Sequence, residues 1–354
     1  MGIEEQPRSV ELPIETYSDP RLEVVLPQVY DVLALAYEEG QQTCERVPEN
    51  NLFNDHTFAH ILRTVHFGRR LMEMSTYENE DESFDDELAV VQMAMLIHDL
   101  GIKNGRQDHE AKVASNTEDV LTNISESPAW YDIQTTALRH NGAAYRRLLR
   151  GHTQKPYQER CRLLIAGMFR KEAAAHNADK LDLGPQRVNR NKVTRAHIEQ
   201  AELQYDGVDS LEHALANLYI GTTGFTYDED NKSFIWNFKY QPFYDPEDGR
   251  HERLEHLASD VVWDVDGKQM KPFVVPEELK GEEGAADLNK VWSYLGNIMG
   301  DKVRRVGEIS NVLFPGMKEF KLFVTGPTDE PLFEISLTDD NFDEFFIDWI
   351  NNHN

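Results

Sequence analysis

The apolar run Val90-Val91-Gln92-Met93-Ala94-Met95-Leu96-Ile97 ends abruptly in His98-Asp99, followed at once by Leu100-Gly101. A segment this apolar reads as a buried helix, with an imidazole and a carboxylate at its C-terminal edge and Gly101 supplying a left-handed stop. Adjacent residues do not share a helical face, so this pair can grip one ion only where the helix ends and the backbone turns. Packing alone does not require such a doublet.

Other histidines and acids can be arranged around it. His60 lies in a helical pattern in which Leu62, Val65 and Leu71 are apolar; downstream come Asp108-His109-Glu110, His140-Asn141-Gly142 and Ala178-Asp179-Lys180-Leu181-Asp182. The order His, His-Asp, His, His, Asp offers four imidazoles and two carboxylates. Borderline and hard divalent ions accept that donor set, and it could hold two of them side by side. His56 and His60 also stand four residues apart, but Thr57 replaces the general-base Glu of a zincin helix, which argues against a metalloprotease. His56 is read as supporting the ligands or the fold.

From about Asn54 to Asn191 the chain resembles the HD-domain metal-dependent phosphohydrolase superfamily. His60-x-x-Arg63, His98-Asp99-Leu100-Gly101 and Ala178-Asp179-x-Leu181-Asp182 match its first, second and last motifs, and His109 and His140 match the extra histidines of its dinuclear members. Lys103 stands one place later than the Lys often found after that glycine, and the Gly-Tyr-Pro signature of cyclic-di-GMP phosphodiesterases is absent after His140. The resemblance implies one or two divalent ions (Mn, Fe, Co, Ni, Zn or Mg). His60, His98, Asp99 and Asp179 would hold the first, and Asp99 would bridge to a second completed by His109 and His140. It further implies hydrolysis of a phosphoester or phosphoanhydride in a nucleotide or short oligonucleotide by a metal-activated water, with Asp99 and Lys103 catalytic. The same ligand order resembles the mixed-valent di-iron oxygenases built on an HD scaffold, and a catalytically quiet metal-binding regulator is a third reading.

The net charge of −27 opposes binding to long nucleic acids, whose affinity depends on neutralising phosphates. Within this acidic chain, Arg139, Arg146, Arg147, Arg150, Lys155, Arg160, Arg162, Arg170 and Lys171 form a basic island against only Glu159 and Glu172; Arg187, Arg190, Lys192 and Arg195 form a smaller one. Arginine forks match phosphate oxygens, so Arg63, Arg139, Arg146 and Arg147 are expected to bind a phosphate-bearing small molecule. The alternative is a solvated face paired with acids elsewhere. Only two cysteines are present, Cys44 and Cys161, and neither a secretion signal nor a membrane span is read, so a cytoplasmic protein with free thiols is expected.

The fold expected is mainly α: an extended arm over residues 1–20, then an HD-type helical bundle over 21–204 carrying the metal site. Its helices are placed at about 21–46, 56–75, 86–100, 109–123, 128–141, 157–174 and 194–204. From 205 to 354 an α+β accessory region is expected, with a hairpin across Asp228–Lys232, strands at 318–325 and 331–337, and helices at about 251–258, 286–301 and 340–352. Homo-oligomerisation and cover for the active site are its two candidate roles.

Overall fold

The computed structural model describes residues 8–45, 56–75, 84–104, 109–187, 204–205, 208–209, 217, 220–240, 263–265, 268–270, 288–326, 329 and 331–346. The protein is mainly helical with a four-stranded C-terminal sheet. It divides into two compact units, one of Met1–Val47, Asp55–Asp182 and Glu308–Met317, the other of Pro48–Asn54, Leu183–Gly307 and Lys318–Asn354.

The first unit contains helices α1 (Leu22–Glu45), α2 (Phe58–Met74), α3 (Phe84–Ile97), α4 (His109–Val120), α5 (Trp130–Arg139), α6 (Ala143–Leu148), α7 (Tyr157–Gly167) and α8 (Arg170–Leu181). Every residue of α3 from Leu88 to Ile97 is buried, as its continuous apolar run requires, and α2, α5 and α8 pack around it. At Gly68 of α2 an added Cβ would lie 3.0 Å from Val91 of α3 and 3.7 Å from Ala178 of α8, so these three helices approach one another closely at that point.

Three expectations need correction here. The helix expected over 157–174 is two helices, because Met168 and Phe169 are extended and Gly167 packs against the side chain of Leu148, where a Cβ would collide. Gly101 is not left-handed: it lies in a 3-10 turn, Leu100–Asn104, and is required for a different reason, since the carbonyl of His109 occupies the place a Cβ would take. The described part of the expected arm is packed onto the unit. Val10 pairs with Leu121, Leu12 N–H donates to Asn123 Oδ1 at 3.3 Å, and fully buried Tyr17 donates to the same oxygen at 2.6 Å.

The second unit carries strands β1 (Gln204–Tyr205), β2 (Val208–Asp209), β3 (Ile220–Asp228), β4 (Ser233–Tyr240), β5 (Trp263–Val265), β6 (Lys268–Met270), β7 (Glu319–Thr325) and β8 (Pro331–Thr338). The hairpin β3–β4 forms as expected, β4 runs parallel to β7, and β7 is antiparallel to β8. Alternation along β4 and β7 buries Phe234, Trp236, Phe238, Phe320, Leu322 and Val324. Helix α9 (Leu288–Leu313) runs twelve residues past the expected end, and its residues from Glu308 on belong to the first unit. Helix α10 (Phe342–Phe345) starts the helix expected over 340–352, whose later part lies outside the described residues, as do 194–203 and 251–258. Gln204 itself is in a strand.

Candidate metal centre

Helix α3 stops at Ile97, so His98 and Asp99 occupy a turn and both side chains can aim at one point. His60, His98 and Asp99 are all buried and offer ligand atoms within 4.8 Å of one another, a group that could hold a metal ion. Asp99 Oδ2 lies 3.2 Å from His98 Nε2 and 3.6 Å from His60 Nε2; Oδ1 lies 3.7 Å from His109 Nε2 and 3.6 Å from His140 Nε2. Asp179, in the last turn of α8, places Oδ1 3.6 Å from His60 Nε2. Of the six residues singled out as ligands in the sequence, the four histidines thus face the Asp99 carboxylate and Asp179 faces His60.

The other ring nitrogens decide what these imidazoles present. His98 Nδ1 donates to Met95 O at 2.8 Å and His140 Nδ1 to Ala137 O at 2.5 Å. A carbonyl can only accept, so Nδ1 of each ring carries a proton and Nε2 is the nitrogen turned toward Asp99. His60 Nδ1 meets Asp182 Oδ2 at 2.5 Å, and Arg63 donates to both oxygens of that carboxylate at 2.8 and 3.1 Å. The Nε2 atoms of His60 and His98 are buried and make no hydrogen bond among the described residues. Lone pairs and a carboxylate facing inward repel one another unless a cation or added protons lie between them.

Electrostatics point the same way. Burial pushes the Asp99 carboxyl up, but the imidazoles of His98 and His56 above all outweigh it and hold the group well below the usual range. Burial likewise pulls His98 down, yet Asp99 beside it, with Asp179 further off, holds it above an ordinary histidine. His140 is pushed down to about 4 by burial and by the charge of His98.

The candidate phosphate-binding residues fare differently. Arg63 is tied to Asp182 and Arg139 to buried Glu172. Of the rest of the island, Arg160 pairs with Glu308, Arg170 with Glu87, Lys171 with Asp132 and Lys155 with Glu159. Three of those acids lie far away in sequence, so much of the island is internally neutralised. Arg146 and Arg147 of α6 are exposed, Arg146 donating to Asn141 O at 2.9 Å, and Lys103 is half-buried in the 3-10 turn after the doublet.

Two contributors were not singled out in the sequence. Asp182 orients His60, and His176 Nδ1 donates to the carbonyl of His140 at 2.7 Å. Each stands three residues from Asp179, a spacing that places it on the same helical face or at its end, which was the signal for both. Lys180 Nζ lies 2.6 Å from Asp179 Oδ2. No protein-family model matches the chain, and no curated protein or solved structure matches it either.

Proposed function

We propose that this protein is a metal-dependent phosphohydrolase of the HD-domain type, acting on a phosphoester or phosphoanhydride of a nucleotide or short oligonucleotide. The observation that carries the reading is the inward-facing donor set: buried Nε2 atoms of His60 and His98 beside Asp99, each ring fixed by an acceptor on its far side. Outer partners of this kind fix the tautomer and raise the basicity of a ligating histidine. His60, His98, Asp99 and Asp179 would hold one divalent ion, and Asp99, His109 and His140 a second. Bound there, such an ion supplies Lewis acidity to water and to phosphoryl oxygen.

The chain's own residues do the rest. Asp99 offers one oxygen to each group of imidazoles, and Asp182 keeps His60 in its ligating tautomer while neutralised by Arg63. Exposed Arg146 and Arg147, with Lys103, are free of carboxylate partners among the described residues and would take the substrate phosphate. Arg63 and Arg139 would act through their carboxylates. No helix among the described residues is long and apolar enough to cross a membrane, and Cys44 and Cys161 are both buried.

The test is a panel of phosphomonoesters, phosphodiesters and nucleoside polyphosphates offered to metal-free protein reloaded with Mn²⁺, Co²⁺, Ni²⁺, Zn²⁺ or Mg²⁺ without oxygen. Phosphate or nucleotide release under those conditions is expected. Turnover that appears only with iron and O₂ would move the assignment to the oxygenases, and no turnover under either condition would leave a metal-binding regulator.

A further inference from the structure

The two oxygens of Asp99 divide the imidazoles around it. Oδ1 faces His109 and His140, whereas Oδ2 faces Nε2 of His98 at 3.2 Å, of His60 at 3.6 Å and, beyond the expected set, of His56 at 3.6 Å. Bonds of about 2.1 Å put neighbouring ligand atoms about 3.0 to 3.4 Å apart, from six-coordinate to four-coordinate geometry. The His56–Asp99 separation is as close to that range as the His60–Asp99 separation.

We propose that His56 is a metal ligand on the Oδ2 side of Asp99. The proposal rests on the metal-centre reading above and extends it. The rings of His56 and His60 lie 5.6 Å apart at an interplanar angle of 66°, and those of His60 and His98 lie 5.5 Å apart at 67°, so His56 repeats the step that relates the two buried imidazoles. A histidine present only to hydrogen-bond Asp99 would sit at about 2.7–2.9 Å, as charge-assisted pairs do; at 3.6 Å it stands back by the width a cation needs. Its backbone N–H donates to Gln41 Oε1 of α1 at 3.1 Å, which fixes the residue just ahead of α2. The His56 side chain is 13% exposed while those of His60 and His98 are at 0%, placing it at the rim of the site.

The consequence is an asymmetric centre. On the Oδ2 side His60, His98 and Asp99 offer ligand atoms within 4.8 Å of one another, with His56 at 3.6 Å from Asp99 and Asp179 at 3.6 Å from His60 beside them, whereas on the Oδ1 side, among the described residues, His109 and His140 face Asp99. An ion on the Oδ2 side would have more protein ligands and be the more tightly held. An ion on the Oδ1 side would have fewer protein ligands and so more positions for water or a phosphate oxygen.

Titration of the metal-free full chain with Co²⁺, followed by visible absorption and by bound metal, tests this. Wild type is expected to fill in two steps. His56→Ala should weaken the first step by about a hundredfold and shift the first Co²⁺ band, while His109→Ala should weaken only the second. His56→Gly with added imidazole should recover the first step and its band, which a merely misfolded variant would not do. A first step unchanged in affinity and band in His56→Ala overturns the assignment of His56 alone. Uptake lost in both His56 variants and not recovered by imidazole also overturns it. Absence of Co²⁺ uptake by wild type overturns the metal-centre reading itself.

Discussion

A histidine ligand has two nitrogens, and in this site the one facing away from Asp99 is as informative as the one facing it. Met95 O, Ala137 O and Asp182 each take the outer nitrogen of one ring, which leaves the inner nitrogens as donors. Asp182→Asn keeps the size of the side chain but removes the charge that His60 and Arg63 share; metal affinity should fall by about ten- to hundredfold with the fold retained, as dialysis against a competing chelator would measure. Unchanged affinity would make Asp182 a packing residue. The exposed arginines belong to the same scale. Replacing Arg146 and Arg147 together should cost a few kcal/mol of kcat/KM on nucleotide substrates, about the worth of two lost charge-assisted hydrogen bonds, with metal content intact. A wild-type kcat/KM would return them to the solvated face. The ligand order was legible because each residue is of a type that chemistry demands, but the pairing of Arg63 and Arg139 was not, since their acids lie more than thirty positions away or on another helix.

Elements place these residues through close backbone approaches. His109 opens α4, and its carbonyl lies where a Cβ of residue 101 would be, so the glycine after the doublet sets how near α4 comes to Asp99. Gly101→Ala should push His109 outward and lower metal content from about two ions per chain toward one, while α2 and α8 keep the other group; full occupancy in the variant would contradict this. Helix existence was legible from apolar periodicity in α2 and from an unbroken apolar run in α3. The break at Met168–Phe169 was not, because the period runs through it and the stop depends on Leu148 of another helix. In the sheet, burial pushes Glu319 up, but hydrogen bonds from Ser336 and Ser233, with Lys321 nearby, outweigh it and hold the carboxyl below its ordinary range. A folded-state pKa lowered in this way contributes stability above the unfolded value of about 4.3 and loses it as pH falls through the folded value. Glu319→Gln should therefore cost about 1 kcal/mol at neutral pH, and the gap to wild type should close in acid; a gap independent of pH in urea unfolding would contradict it.

At the scale of the molecule, a net charge of −27 coexists with a basic stretch that is largely neutralised from within. Glu308, which meets Arg160 at 2.6 Å and accepts from Tyr145 at 2.6 Å, comes from the end of α9 and returns the chain to the first unit. Composition marks a change near Gln204, where strands begin, but the compact first unit closes at Asp182 and takes back Glu308–Met317. Contacts between residues so far apart leave no periodic trace in a sequence, whereas the β-rich hairpin and the ligand helices do. At the centre of the first unit stands one carboxylate, Asp99, with imidazoles on both of its oxygens. Elemental analysis of purified wild-type protein and of Asp99→Ala after reloading and dialysis is the most direct measurement of that centre. About two divalent ions per wild-type chain and almost none in the variant are predicted, because both groups share Asp99; a metal-free wild type, or equal metal in the two proteins, would contradict it.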